Sequence, residues 1–331
     1  MGRKLVFIVL SLVLLVMLLG ACGAPKSAEK LMIWATPASG MPLAVADREG
    51  FFAAQGLNVE IRITQEDELP FLAGQTPVSH ISSWEQAEYR IEGEDVMFAG
   101  VGGCTRFFNG IAVLPGKPYR SVQDLLGKKL GNPGFGTGTW AAFTGMSKNV
   151  WGIDTETAFE NVTASPGALL GLLEKGEIEG ALLFSSQTLA AQAMGWPLVF
   201  RFDKAWEEAT GHPLLIVSWT ARTPWLRDNV DTMQKVNAAA DMAVDWMAQY
   251  PEQFGFGGRY EVNSHAAGYL KNNETNKLIQ KWLVEGLYYV KNDIYSQAWI
   301  DAAHEFNVIV HGDKAPPKDK LFWPPEDLKA K

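Results

Sequence analysis

Apolar and polar positions along the chain alternate with two periods, and the switch between them marks the elements. Leu31-Met-Ile-Trp-Ala35 is an apolar run of strand length. Pro42 to Gln55 follows with helical spacing: Leu43, Val45, Ala46 and Phe51-Phe52 are apolar, Asp47-Arg48-Glu49 are solvated, and Gly56 supplies a stop. Asn58-Val-Glu-Ile-Arg-Ile63 then alternates strictly, as a half-buried strand does. This β-α-β order repeats. Val78–Ile81 leads into a helix from Ser83 to Arg90, and Asp95–Ala99 and Gly110–Leu114 read as strands. A short helix start lies at Ser121–Asp124, and helices are predicted over about 139–150, 166–175 and 186–194, with a strand at Glu179–Phe184 between the last two. Leu214–Trp219 is a strong strand. The chain then turns helical over 230–249, 274–290 and 295–306. Alternating β and α segments with short connections predict an α/β fold with largely parallel sheets.

The N-terminus adds a compartment. Arg3 and Lys4 precede an apolar run from Leu5 to Leu19 that ends in Leu19-Gly20-Ala21-Cys22. A basic start, a short apolar stretch and small residues before a cut make a secretory signal. The run is shorter than the ~20 residues a spanning helix needs. Residues 1–21 are read as a signal peptide and 22–30 as a polar tether. Acidic side chains outnumber basic ones, 37 to 29, and no long basic run exists, so nucleic acid is not an expected partner. Besides Cys22 there is one cysteine, Cys104, which reads as a small buried packing residue and leaves no side-chain pair for a disulfide.

In parallel α/β sheets, ligands sit beyond the carboxyl ends of the strands. That rule marks the turns at Trp34–Ser39, Ser82–Trp84, Gly102–Gly110, Gly134–Trp140 and Ser185–Ser186. Three of them open helices with hydroxyl residues: Ser82/Ser83, Thr137/Thr139 and Ser185/Ser186. Unpaired N–H groups and the positive dipole end favour an anion or a ring carbonyl there, and capping of the helix itself is the competing role of each hydroxyl. Ser82-x-x-Glu85 is a capping box. Twelve tryptophans is many, and Trp34, Trp84, Phe107, Phe108, Phe135 and Trp140 all fall in these turns, either closing the core or walling a cleft that stacks a flat ring. Arg106 is a candidate partner for an acidic ligand group, and Asp67 and Glu68 for an amine. The five histidines, at 80, 212, 265, 304 and 311, show no metal spacing. The candidate ligand contacts are therefore Trp34, Thr36, Ser83, Trp84, Arg106, Phe135, Thr137, Thr139, Trp140, Ser185 and Ser186, with no catalytic residue, metal or cofactor expected.

Several segments resemble one family. Pro42–Ile61, Tyr119–Gly131 with its Gly-Lys-Lys step, Ser165–Phe184, and Ala238–Pro251 with Trp246 and Tyr250-Pro251 are similar to successive units of the solute-binding proteins of the nitrate/sulfonate/taurine and thiamine-precursor type. Leu19–Cys22 resembles the bacterial lipobox, in which Cys22 is lipidated. The resemblance implies a periplasmic-binding-protein type II fold: two α/β lobes, a central ligand cleft and two hinge strands, Gly110–Leu114 and Leu214–Trp219. By that template lobe one is 31–114 plus 220–331 and lobe two is 115–219. It implies a monomeric, lipid-anchored receptor facing outside the cytoplasm, whose partners are a small-molecule ligand and the permease and ATPase subunits of an ABC importer. Where the family often carries a Trp/Glu-Pro type stretch, this chain has Ser185-Ser-Gln-Thr188, which opens the choice of ligand. Aromatic side chains in the turns favour a flat aromatic or heterocyclic, vitamin-like compound. An alkyl sulfonate, taurine or nitrate is the alternative.

Two enzyme readings compete. Eukaryotic pyrimidine-precursor synthases share the family's fold and use a lysine-bound cofactor, a histidine and a cysteine-rich motif, and this chain lacks the cysteine cluster. Gly136-x-Gly138-x-x-Ala141 meets a relaxed dinucleotide pattern, but Asp154 follows a turn instead of ending a second strand.

Overall fold

A computed structural model describes residues 30–36, 39–64, 68–254, 259–260 and 273–328. The lipobox with Cys22, the tether before Lys30, Asp67 and His265 lie outside the described residues.

The ten strands are β1 Leu31–Ala35, β2 Val59–Ile63, β3 Val78–Ile81, β4 Val96–Phe98, β5 Gly110–Val113, β6 Lys129–Asn132, β7 Glu160–Thr163, β8 Gly180–Leu183, β9 Leu198–Arg201 and β10 Ser218–Arg222. They form two five-stranded sheets, ordered β2-β1-β3-β10-β4 and β7-β6-β8-β5-β9. The two orders follow one plan. In each sheet a parallel trio carries an inserted antiparallel strand, β10 in the first and β5 in the second. The inserted strand is in both cases the one the chain forms on arriving from the other sheet, so it enters with reversed direction. The expectation of largely parallel sheets holds for the trios only.

The chain crosses between sheets over residues 99–109 and 211–217. These crossings are paired to each other: Phe107 N–H donates to the Leu214 carbonyl at 2.8 Å and Ile216 N–H to Thr105 at 2.9 Å. Most of the expected hinge stretch Gly110–Leu114 is strand β5 of the second sheet. The end of Leu214–Trp219 is the start of β10 in the first. The paired crossing lies at 105–107 against 214–216, before each strand begins.

Most helices fall where the periodicity places them, with shifted ends. Pro42–Gln55 is broken into Met41–Arg48 and Phe51–Ala54 by Gly50, whose φ of 78° only glycine adopts cheaply. The expected helix over 274–290 stops at Val284, and Tyr289 instead bridges Thr105. The helices Asn273–Val284 and Gln297–His311 pack on the second lobe's helices Ser185–Ala193 and Gly138–Trp151, and so reach across the seam. A buried cluster of Trp84, Phe107, Phe143, Phe200, Phe202 and Phe306 joins both lobes to the last long helix. No helix among the described residues is long and apolar enough to cross a membrane.

Candidate functional site

The carboxyl ends of β3 and β8 run almost directly into helices at Ser83 and Ser185, and that of β6 leads through a five-residue loop into the helix at Gly138. The first N–H groups of each helix have no partner within it, so these ends concentrate donors along the seam between the lobes.

In the first lobe Ser82 caps Ser83–Ile91, its Oγ accepting from Glu85 N–H at 3.3 Å and donating to Glu85 Oε2 at 2.5 Å. The expected capping box is therefore formed. Ser83 is buried in the first turn, and Trp84 is buried with its ring against Phe107 at 4.8 Å and Phe306 at 5.5 Å. The Trp84 carbonyl accepts from His311 Nε2–H at 2.8 Å, and burial holds that imidazole below its usual pKa.

In the second lobe the glycine-rich loop after β6 is built on Asn132. Its buried Oδ1 accepts from Gly134 N–H at 3.1 Å and from Thr163 Oγ at 3.0 Å. Thr137 Oγ1 donates to the Gly134 carbonyl and accepts from Trp140 N–H, capping the helix. Thr137 thus fills the capping role. Phe135, at the loop tip, is 58% exposed and edge-on to the buried Trp140. Thr139 and Ser185 meet at a residue absent from the sequence candidates. Fully buried Asn109, at the end of the first crossing, donates to Thr139 Oγ1 at 2.7 Å and accepts from Ser185 Oγ at 2.6 Å. One amide so ties the starts of two helices together. Nothing in the sequence distinguishes that asparagine from other loop asparagines.

Beyond Ser185 the seam holds a small pocket of about 10 Å³, room for roughly one water-sized group, open in part to solvent. Ser186 and Leu189 line it from the second lobe. Ile279 and Leu283 face them from Asn273–Val284, and Met41, Met247, Phe254, Tyr288 and Tyr289 close it. No charged side chain is among these lining residues. Burial pushes the Tyr288 phenol up to about 12 and Tyr289 well above its ordinary value, so both stay neutral donors throughout the physiological range. Apart from Ser186, none of these residues was a sequence candidate. They come from four distant segments, and only the fold brings them together.

Of the other candidates, Arg106 touches the pocket wall through its backbone, its N–H donating to the Tyr288 carbonyl at 3.1 Å, while Trp34 and Thr36 are not among the lining residues. Trp34 is mid-strand in β1, with the Arg62 guanidinium 5.2 Å above its ring, and Thr36 is hydroxyl-bonded to Ser39 at 2.7 Å. Arg106 lies in the crossing and reaches Glu207 at 3.4 Å. Arg201 lies over Phe108 at 4.8 Å and Trp282 at 5.6 Å, and it is committed to a bidentate pair with buried Asp203. Cys104 and His80 are fully buried together, Sγ to Nε2 3.8 Å. Burial raises the thiol and lowers the imidazole to about 3, so the pair rests as thiol and neutral ring.

Two sheets of this order, joined by paired crossings and meeting at helix N-termini, are the fold of periplasmic binding proteins. The chain belongs to the NMT1/THI5-like family, whose model matches residues 38–254, more than half of its 331 residues. Comparison with curated proteins finds no match. Among solved structures the chain is similar to the periplasmic aliphatic sulphonate-binding protein SsuA of Escherichia coli, at 14% identity over 92% of this chain and 95% of that one, TM-score 0.67. It is similar to the alkanesulfonate-binding protein SsuA of Xanthomonas axonopodis pv. citri bound to MOPS, at 12% identity over 91% and 100%, TM-score 0.58. It is also similar to the desulfurization enzyme DSZB, at 14% identity over 90% and 97%, TM-score 0.56. At these identities the shared feature is the fold.

Proposed function

We propose that this protein is an extracytoplasmic solute receptor that holds a small organic molecule between its lobes and delivers it, unchanged, to the permease and ATPase subunits of an ABC importer. The observation that carries the reading is the pocket beside Ser186, apolar and aromatic in its lining and set where helices of both lobes meet. A pocket of mostly hydrophobic surface with a few fixed polar groups is the usual form of a small-molecule site. The lining suits a flat aromatic or heterocyclic body, with Ser186 and the Tyr288 phenol at its edge to orient it. The binding-protein neighbours support the receptor class. On this reading lobe two is the second sheet with its helices, Cys22 carries the lipid anchor, and the protein acts as a monomer at the outer face of the cell membrane.

A second reading, an alkyl sulfonate or similar anion, is favoured by the helix N-termini along the seam and by what the two SsuA proteins are named as binding. Calorimetric titration with neutral heteroaromatics, among them 4-aminopyrimidine, and with alkanesulfonates separates the two. Saturable response to the first class alone supports the proposal. Response to sulfonates alone supports the second, and turnover of any bound compound contradicts a receptor.

A further inference from the structure

The seam has a second end, away from the pocket, where the two lobes touch at Gly138. A Cβ built on Gly138 would lie 2.5 Å from Glu85 Oε1 and 2.7 Å from Trp84 Nε1. Two first-lobe side chains are therefore pressed against the first residue of a fourteen-residue helix of the second lobe. The helix Ser83–Ile91 begins at the same point from the other side. Trp84 is 1% exposed, and its indole N–H has no hydrogen-bond partner among the described residues. Two positive helix ends and a buried unpaired donor thus converge on one spot, where they offset part of the cost of burying a carboxylate. That spot is taken by the carboxyl of Glu85.

We infer that Glu85 is a specificity-determining residue: its carboxylate is the built-in anion of the seam, and it turns the receptor away from anionic solutes toward neutral or basic ones. The inference rests on the receptor reading. A sulfonate entering this end would meet a carboxylate held in place by Ser82 and would have to displace or protonate it. The other groups facing Glu85 do not relieve that repulsion. Glu68 and Glu88 add negative charge, and burial lowers the pKa of the His311 imidazole bonded to the Trp84 carbonyl. Burial pushes the Glu85 carboxyl up to about 7, so acid removes the barrier.

The test uses Glu85→Gln, which keeps the capping-box geometry because Gln serves at that position as Glu does. Wild type and E85Q are titrated with 1-hexanesulfonate at pH 8, with 4-aminopyrimidine as the neutral probe. The expected result is at least tenfold tighter hexanesulfonate binding by E85Q, with aminopyrimidine affinity changed by less than about threefold. Equal sulfonate affinities, tighter binding by wild type, or no sulfonate binding by either protein overturns the assignment. A second measurement needs no variant: wild-type affinity for hexanesulfonate should rise as pH falls from 8.5 to 5.5, and a flat profile overturns the proposal. Aminopyrimidine binding without the sulfonate effect sinks the role of Glu85 and leaves the receptor standing. Absence of binding by either probe class in either protein sinks both.

Discussion

Replacing Asn109 by Ala removes the amide that ties the starts of Gly138–Trp151 and Ser185–Ala193 together. Two buried hydrogen bonds are lost, to Thr139 at 2.7 Å and from Ser185 at 2.6 Å. Each contributes about 1 kcal/mol net, and a hydroxyl left buried without a partner adds about 1–3 kcal/mol. The expected destabilisation is roughly 3–5 kcal/mol. In a chain of this length about 2 °C accompanies each kcal/mol, so Tm should fall by roughly 6–10 °C. Thermal unfolding followed by circular dichroism measures this. Ser185→Ala should cost about half as much. The double variant should cost less than the sum, because both changes act on the same bond. A fall below about 1 °C for N109A, or strict additivity, would refute the view that this amide organises the two helix starts.

Gly138→Ala places a methyl group against Glu85 and Trp84 and should cost about 1–3 kcal/mol while weakening ligand retention, read by denaturant unfolding and titration together. Leu189→Trp fills the pocket from the Ser186 side and should weaken binding of an aromatic ligand at least tenfold in calorimetry. Glu85 and Asp241 both have carboxyls raised to about 7 by burial, above the unfolded value. Their protonated forms therefore favour the folded state below the unfolded pKa, and that contribution is lost as pH rises from about 4 to 7. E85Q and D241N should each flatten the decline in Tm between pH 5 and 8, and an unchanged slope in both would count against the burial of these groups.

The parts of this architecture written in local chemistry could be read from the chain. Glycine stops and the Ser82-x-x-Glu85 box mark the helices that open at the seam, and strict alternation marks β2. Local chemistry is silent where contacts come from afar. Strands β7 and β9 were missed because Glu160-Asn-Val-Thr163 is mostly polar and Leu198–Arg201 runs straight into the helix Phe202–Thr210. The turn aromatics divide in role: Trp84 and Trp140 are buried in the core, and Phe135 alone stands out to solvent. Hydroxyls showed the same division, with Ser82 and Thr137 capping their helices and Ser185 bonded to Asn109. The pocket itself was illegible, because Met41, Met247, Phe254, Ile279 and Tyr288 share no pattern until the chain is folded.

The account stands on a solute held between the lobes. Native mass spectrometry of the protein as purified, compared with its denatured mass, tests this most directly. A small organic adduct present in wild type and lost in Leu189→Trp is the predicted result. A bare protein that also shows no thermal shift with any small-molecule fraction of a cell extract would contradict it.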